Sequence, residues 1–114
     1  MSSLQSNRET LIQKDYMAKR QSGASGDVMI KFFSDDATIV DRDGTEYKGK
    51  EKMLEYFNKS QKTPSFIGTP VSSPNGNITV ALKFTVMFVP FTFNVVFEFV
   101  KDSVVIEKLT VLSV

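Results

Sequence analysis

From residue 78 to residue 99 the sequence, ITVALKFTVMFVPFTFNVVFEF, alternates with a period of two over a length that no helical pattern matches. Ile78, Val80, Leu82, Phe84, Val86 and Phe88 fall on one side of an extended chain, with Thr79, Ala81, Lys83, Thr85, Met87 and Val89 on the other. Pro90 marks a corner, after which Phe91, Phe93, Val95, Phe97 and Phe99 alternate with Thr92, Asn94, Val96, Glu98 and Val100. Two long antiparallel strands, each with one Phe-rich face, have to bury that face, and the cover must come from the rest of the chain.

The first half supplies helices. Residues 8 to 21 read as a helix, with Ser6 and Glu9 spaced as a capping box and Leu11, Ile12, Tyr16 and, less centrally, Ala18 along one side. QSGASGD ends it, and Asp27 is placed to cap a short second helix whose apolar face is Val28, Met29, Phe32 and Phe33 before SDD stops it. From Ala37 the period becomes two, and Asp43-Gly44 is a dipeptide that closes a hairpin between residues 37 to 41 and 45 to 48. A third helix follows Gly49 over about residues 50 to 59, burying Met53, Leu54 and Phe57. Beyond residue 64 the chain reads as strand: TPSFIGTPVSS with Pro70, a PNGN turn, the two alternating runs, a KDS turn and a last strand over 104 to 114.

This order makes an α+β domain, one domain over residues 1 to 114, in which a curved sheet wraps the helices. The strands form an antiparallel meander, with Val89, Met87, Val96, Val100, Leu109 and Val111 expected on its outer face. So much apolar surface predicts a homodimer that pairs through that face.

Composition excludes several functions. The chain has no cysteine and no histidine, which removes thiol nucleophiles, thiolate metal sites, the usual catalytic base and the commonest transition-metal ligand. Asp35 and Asp36 lack a third ligand nearby, so neither a metal nor a cofactor is expected, and the pair reads as a solvated junction. Fourteen basic and 13 acidic residues are interspersed, so nucleic acid is not an expected partner. Nor is a membrane, because Lys83, Pro90, Asn94 and Glu98 interrupt the longest apolar stretch and the N-terminus shows no secretory leader pattern. The expectation is an intracellular protein, by default cytoplasmic.

The stretch FFSDDATIVDRDGTEYKGKEKMLEYF, together with the element order, resembles the nuclear transport factor 2-like superfamily, which includes SnoaL-like polyketide cyclases and ketosteroid isomerases. Asp35, Asp36, Ala37, Asp41, Gly44, Gly49, Met53 and Phe57 occupy the places of its local pattern, over about residues 32 to 57 of a shared order that spans nearly the whole chain. The resemblance implies a cystatin-like cone: a mixed, largely antiparallel sheet around three helices, with a pocket between them. Phe32, Phe33, Ile39, Phe57, Phe84, Phe88, Phe97 and Phe99 would line that pocket for a small hydrophobic ligand. It also implies that Asp41 stands where the isomerases place their base and Tyr16 where they place an oxyanion-hole tyrosine. The third position, a neutral acid in the isomerases, falls on Phe97, and a missing oxyanion donor costs on the order of 2.7 to 4 kcal/mol of transition-state stabilisation. Steroid isomerisation is therefore disfavoured, while isomerase- or cyclase-like chemistry with a single Asp general base stays open.

Each of these residues has a plainer reading. Asp41 enters DRDG, where an aspartate accepts hydrogen bonds from turn amides without any chemistry; a pocket-facing carboxylate is the rival. Tyr16 can be a core ring with its hydroxyl at a polar partner, and the Phe-rich face can be core that fills the cone. Asn94 and Glu98 are expected at the dimer contact. The alternative function is a non-catalytic interaction or transport-adaptor module of the nuclear transport factor 2 type. Such adaptors present acidic surface to a small GTPase, and this near-neutral chain has no acidic block.

Overall fold

The alternation after residue 78 builds two strands, β4 (Ile78–Val86) and β5 (Val89–Phe99), paired without a break from Ile78↔Phe97 to Val86↔Val89 in a computed structural model that describes residues 3–59 and 65–113. Around them lie β1 (Phe33–Val40), β2 (Glu46–Lys48), β3 (Ser65–Ser72) and β6 (Ile106–Ser113), giving the sheet order β2-β1-β6-β5-β4-β3. The β1–β6 pair is parallel and all others are antiparallel, so the sheet is mixed. Register shifts between Phe33 and Thr38, between Ile67 and Val71, and between Glu98 and Phe99 interrupt the ladders. Such irregularities bend and twist strands, which lets the sheet curl around the helices.

The helical layer runs α1 (Ser3–Thr10), a π-helical stretch Leu11–Tyr16, α2 (Met17–Gln21), α3 (Gly26–Met29), a 3-10 turn Ile30–Phe32 and, after the β1–β2 hairpin, α4 (Lys50–Lys59). The inner face of the sheet presents Ile78, Val80, Leu82, Phe93, Val95 and Phe97, and Ile12, Tyr16, Met17, Met29, Met53 and Phe57 close over it from the helices. Full burial of a side chain of this size is worth about 1.5–3 kcal/mol, so this layer contact dominates the folding energy. A Cβ on Gly26 would stand 2.7 Å from Leu54 Cδ1, a measure of how closely α3 approaches α4. Lys50 Nζ donates to the carbonyls of Ile30 and Phe33, both at 3.2 Å, and lies 3.8 Å from Asp35, tying α4 to the start of β1.

Several expectations need correction. The first helix begins by Ser3, so Ser6 is inside it and caps nothing; Glu9 accepts a hydrogen bond from Ser72 Oγ in β3 instead. The wider π turn shifts the buried side from Ala18, which is exposed, to Met17. Ser25, not Asp27, occupies the cap of α3. Phe33 and the SDD that follows it lie in β1, because the second helical segment ends at Phe32.

The corner after β4 is not Pro90, which pairs with Thr85 inside β5, but a two-residue turn of Met87 and Phe88 with φ of 49° and 70°. Proline is tolerated there because, among the described residues, β6 leaves β5 at Phe93↔Ser113, short of Pro90. Phe88 is 99% exposed and lines no interior, and Val89 shares the side of Phe91 and Phe93 rather than the outer face. Leu109 and Val111 also belong to the inner side, opposite Phe97 and Val95, because the irregularity after Glu98 resets the alternation of the last strand. That strand starts at Ile106, not 104, and Val114 lies outside the described residues.

The Asp43-Gly44 hairpin forms as expected, with Thr38↔Lys48, Ile39↔Tyr47 and Val40↔Glu46 in register and Gly44 at φ 86°. Among the described residues no helix is long and apolar enough to cross a membrane.

Candidate functional site

β1 ends at Val40 and delivers Asp41 to the hairpin turn, where its amide donates to the Thr45 carbonyl at 2.9 Å and its carbonyl accepts from Gly44 N–H at 2.9 Å. Asp41 Oδ1 accepts the Arg42 amide at 2.8 Å. The turn role read from the sequence is thus present; the hydrogen bond that the carboxylate accepts from Arg42 is exposed, and Asp41 as a residue is half-buried. Its charge reaches inward, since it is among the groups that raise the pKa of Tyr56 on α4.

Tyr56 and Tyr16 form the polar interior. Burial is the main cause that pushes Tyr56 from its ordinary 10.0 up to about 12; Asp41 adds to the rise, Arg20 opposes it and Tyr47 contributes a smaller increase. Burial likewise pushes the Tyr16 phenol well above its ordinary value, with Arg20 opposing and Tyr56 adding. Tyr56 thus lies within electrostatic reach of Asp41, Arg20 and Tyr47, and Tyr16 within reach of Arg20 and Tyr56. Both phenols stay protonated at neutral pH.

Elements place these groups for local reasons. Tyr16 closes the π stretch and Arg20 lies four residues on, one turn along the same helical face, with its guanidinium 5.5 Å from the centroid of the Phe57 ring. Tyr56 sits three residues after Met53 on the inner side of α4, edge-on to Tyr47 at 5.2 Å and to Phe57 at 5.3 Å. Arg20, Tyr56 and Tyr47 were not singled out in the sequence, although the first two follow from helical spacing to Tyr16 and Met53.

Of the expected lining residues, Ile39, Phe33, Phe57 and Phe97 are buried wall, while Phe32 and Phe84 are half-buried. Tyr16 is only 3% exposed, enclosed edge-on by Phe97 at 4.9 Å, Phe32 at 5.4 Å and Phe33 at 6.3 Å. The deep part of the cone around that ring is therefore packed. Phe99 lies at the opposite end of the sheet from Asp41, under the Arg8 guanidinium at 4.8 Å, so the structure does not bring it to the site. Toward the tip of the β4–β5 ribbon Phe84 meets Phe93 edge-on at 6.2 Å, and the Arg42 guanidinium stands 5.5 Å from the Phe93 centroid. No group of three metal-ligating side chains occurs among the described residues.

At the level of sequence the chain matches no family model and no curated protein. Solved structures do match. A protein from Sphaerobacter thermophilus aligns with a TM-score of 0.71 at 16% identity, over 90% of this chain and 93% of its own. Bal32a from a soil-derived mobile gene cassette aligns with a TM-score of 0.73 at 14% identity, over 94% and 89%. A candidate polyketide cyclase from Sinorhizobium meliloti aligns with a TM-score of 0.69 at 19% identity, over 84% and 88%. At these identities the likeness is one of fold.

Proposed function

This chain has the nuclear transport factor 2-like, SnoaL-like fold, and we propose that the open end of its cone binds a small, flat, apolar molecule carrying a carbonyl or enol oxygen. The observation that supports this reading is the Tyr56 phenol on α4, edge-on to Tyr47 and within electrostatic reach of Asp41 and Arg20 in an otherwise apolar interior. The Tyr56 hydroxyl would donate to the ligand oxygen, with Phe84, Phe91 and Phe93 against its flat face. Asp41 is the group able to take a proton from carbon next to that oxygen, and Tyr56 would then donate to the enolate oxygen that results. In this scheme Tyr56 supplies the second polar group that Phe97 fails to supply.

A thermal-shift panel of planar ketones, with anthraquinone, flavone and an enone steroid as probes, tests the binding. At a hundredfold excess over Kd a single-site ligand stabilises the native state by about 2.7 kcal/mol. No shift with any of them, together with an unchanged melting point in Tyr56→Phe when they are present, would set the reading aside. For the chemistry, Asp41→Asn is expected to abolish exchange of the α-protons of a bound ketone into deuterated water, read by proton NMR, while leaving binding in place. Exchange at the wild-type rate in that variant would eliminate Asp41 as the base.

A second reading has its own support. The outer face of the sheet carries Ile67, Val71, Val96 and Leu112 beside the cross-strand charge pair Glu98↔Lys108, which suits pairing with a second copy. A homodimer through this face is compatible with ligand binding. With the packed surroundings of Tyr16, it is also what a non-catalytic interaction module would need. Sedimentation velocity at micromolar concentration decides the dimer; a monomer there removes the proposed contact.

A further inference from the structure

We infer that the β4–β5 hairpin tip is a membrane-docking element that inserts Met87 and Phe88 into the interfacial layer of a lipid bilayer, bringing the open end of the cone to the source of its apolar ligand. The second clause rests on the ligand reading above; the docking stands without it.

Met87 and Phe88 are 88% and 99% exposed, at the turn that closes the ladder at Val86↔Val89. Both have positive φ, the backbone of a type I′ turn, which is built most readily from Asn-Gly. Bulky residues are strained in that conformation, and here their side chains bury nothing within the chain. Neither the backbone nor the core gains from a Met-Phe pair at this place, so the gain has to lie outside the molecule.

Charge says what lies there. From Ile78 to Phe97 the single charged residue is a cation, Lys83, and there is no acid. Lys83 is exposed and precedes Val86 by three residues, so it stands about 10 Å behind the turn at the strand rise of ~3.3 Å per residue. Interfacial insertion reaches roughly 5–10 Å, which leaves the Lys83 ammonium at the level of lipid phosphates while the tip is among the acyl boundary. Beyond Lys83 and Phe93 neither β3 nor β6 accompanies the ribbon among the described residues. A two-residue apolar tip with Lys83 behind it reaches the hydrated interface and not the hydrocarbon core.

On the inner side of the ribbon, exposure falls from Val89 at 52% through Phe91 at 43% to Phe93 at 6%. This apolar track, with Phe84 beside Phe93, leads from the tip to the mouth of the cone. Among the described residues no helix is long and apolar enough to cross a membrane, and a docking tip needs no such span.

Co-sedimentation with sucrose-loaded vesicles of phosphatidylcholine, alone and with about a third phosphatidylserine, tests the inference. The wild type is expected to sediment with both, about fivefold more tightly with the anionic vesicles, and Lys83→Gln to lose that increment. The double variant Met87→Asn, Phe88→Gly supplies the favoured turn and removes the apolar tip. It is expected to melt no lower than the wild type while its vesicle partitioning falls about a hundredfold. Tyr56→Phe should dock as the wild type does, which separates failure of docking from failure of the ligand site. Wild type left in the supernatant with both vesicles, or a double variant that still sediments, overturns the inference. So does a lipid-free shift of the double variant from dimer to monomer in sedimentation velocity, which would give the tip to a second copy.

Discussion

Where β4 begins, the Arg8 guanidinium donates to the carbonyls of Ser103 at 2.7 Å and Val100 at 3.2 Å, while Gln5 and the Glu9 carboxylate engage Ser72. The adjoining turn runs Pro74-Asn75-Gly76, residues suited to turns, with Asn75 Oδ1 accepting the Asn77 amide at 3.1 Å. Where β4 ends, the turn is Met87-Phe88, both at positive φ, a strained backbone for bulky residues, and both nearly fully exposed. At the first end local preference, packing and hydrogen bonding agree. At the second they conflict, and a conflict kept in a folded chain is where function is to be sought.

The largest effect is expected at the stapled end. Arg8→Ala removes two charge-assisted hydrogen bonds and the cover over Phe99, and should cost about 3 kcal/mol of unfolding free energy in urea titration. Gly76→Ala should cost somewhat less, about 2 kcal/mol, because φ at 90° strains any L side chain and a Cβ would stand 2.7 Å from Arg8 Nη1. Losses below ~0.5 kcal/mol in both would show that the two ends do not differ as described.

The same division explains what could be read from the chain before its structure. Alternation at Ile78 to Phe99, the Asp43-Gly44 hairpin and the α4 pattern each follow a local rule, and each element formed where the rule put it. Pro90 misled as a corner because the actual turn uses residues that turn chemistry disfavours. The last strand misled because one irregularity after Glu98 exchanges its faces, and no residue in it announces that shift. Asp41 and Tyr16 were singled out through a family pattern. Arg20 and Tyr56 were passed over because a buried arginine and a second buried tyrosine look, in sequence, like ordinary polar positions on a helix.

Alkaline pH addresses the buried phenol on α4. Below pH 10 the Tyr56 phenol is protonated whether the chain is folded or not. Between pH 10 and about 12 the unfolded chain releases that proton while the native chain holds it, so stability falls as pH rises through the window. Each phenol so held contributes about 1.4 kcal/mol per pH unit to the slope. Lysines also titrate in this range, so the comparison is between wild type and Tyr56→Phe: the variant should lose about 2 kcal/mol less across the window. Equal slopes would mean that the Tyr56 phenol is solvated and that the interior cluster around it does not exist.

The smallest effect is expected where the sequence raised its sharpest question. Asp41 closes its turn largely through its own amide and carbonyl, and an asparagine keeps both of those bonds as well as a side-chain oxygen for the Arg42 amide. Asp41→Asn should therefore change the unfolding free energy by less than ~0.5 kcal/mol at neutral pH. What it removes is the charge that reaches Tyr56, so the Tyr56 phenol should titrate at lower pH in the variant, read by its absorbance near 295 nm in alkaline spectrophotometric titration. A large loss of stability with no change in that titration would make Asp41 a turn residue alone, and the buried phenols would then stand without a base.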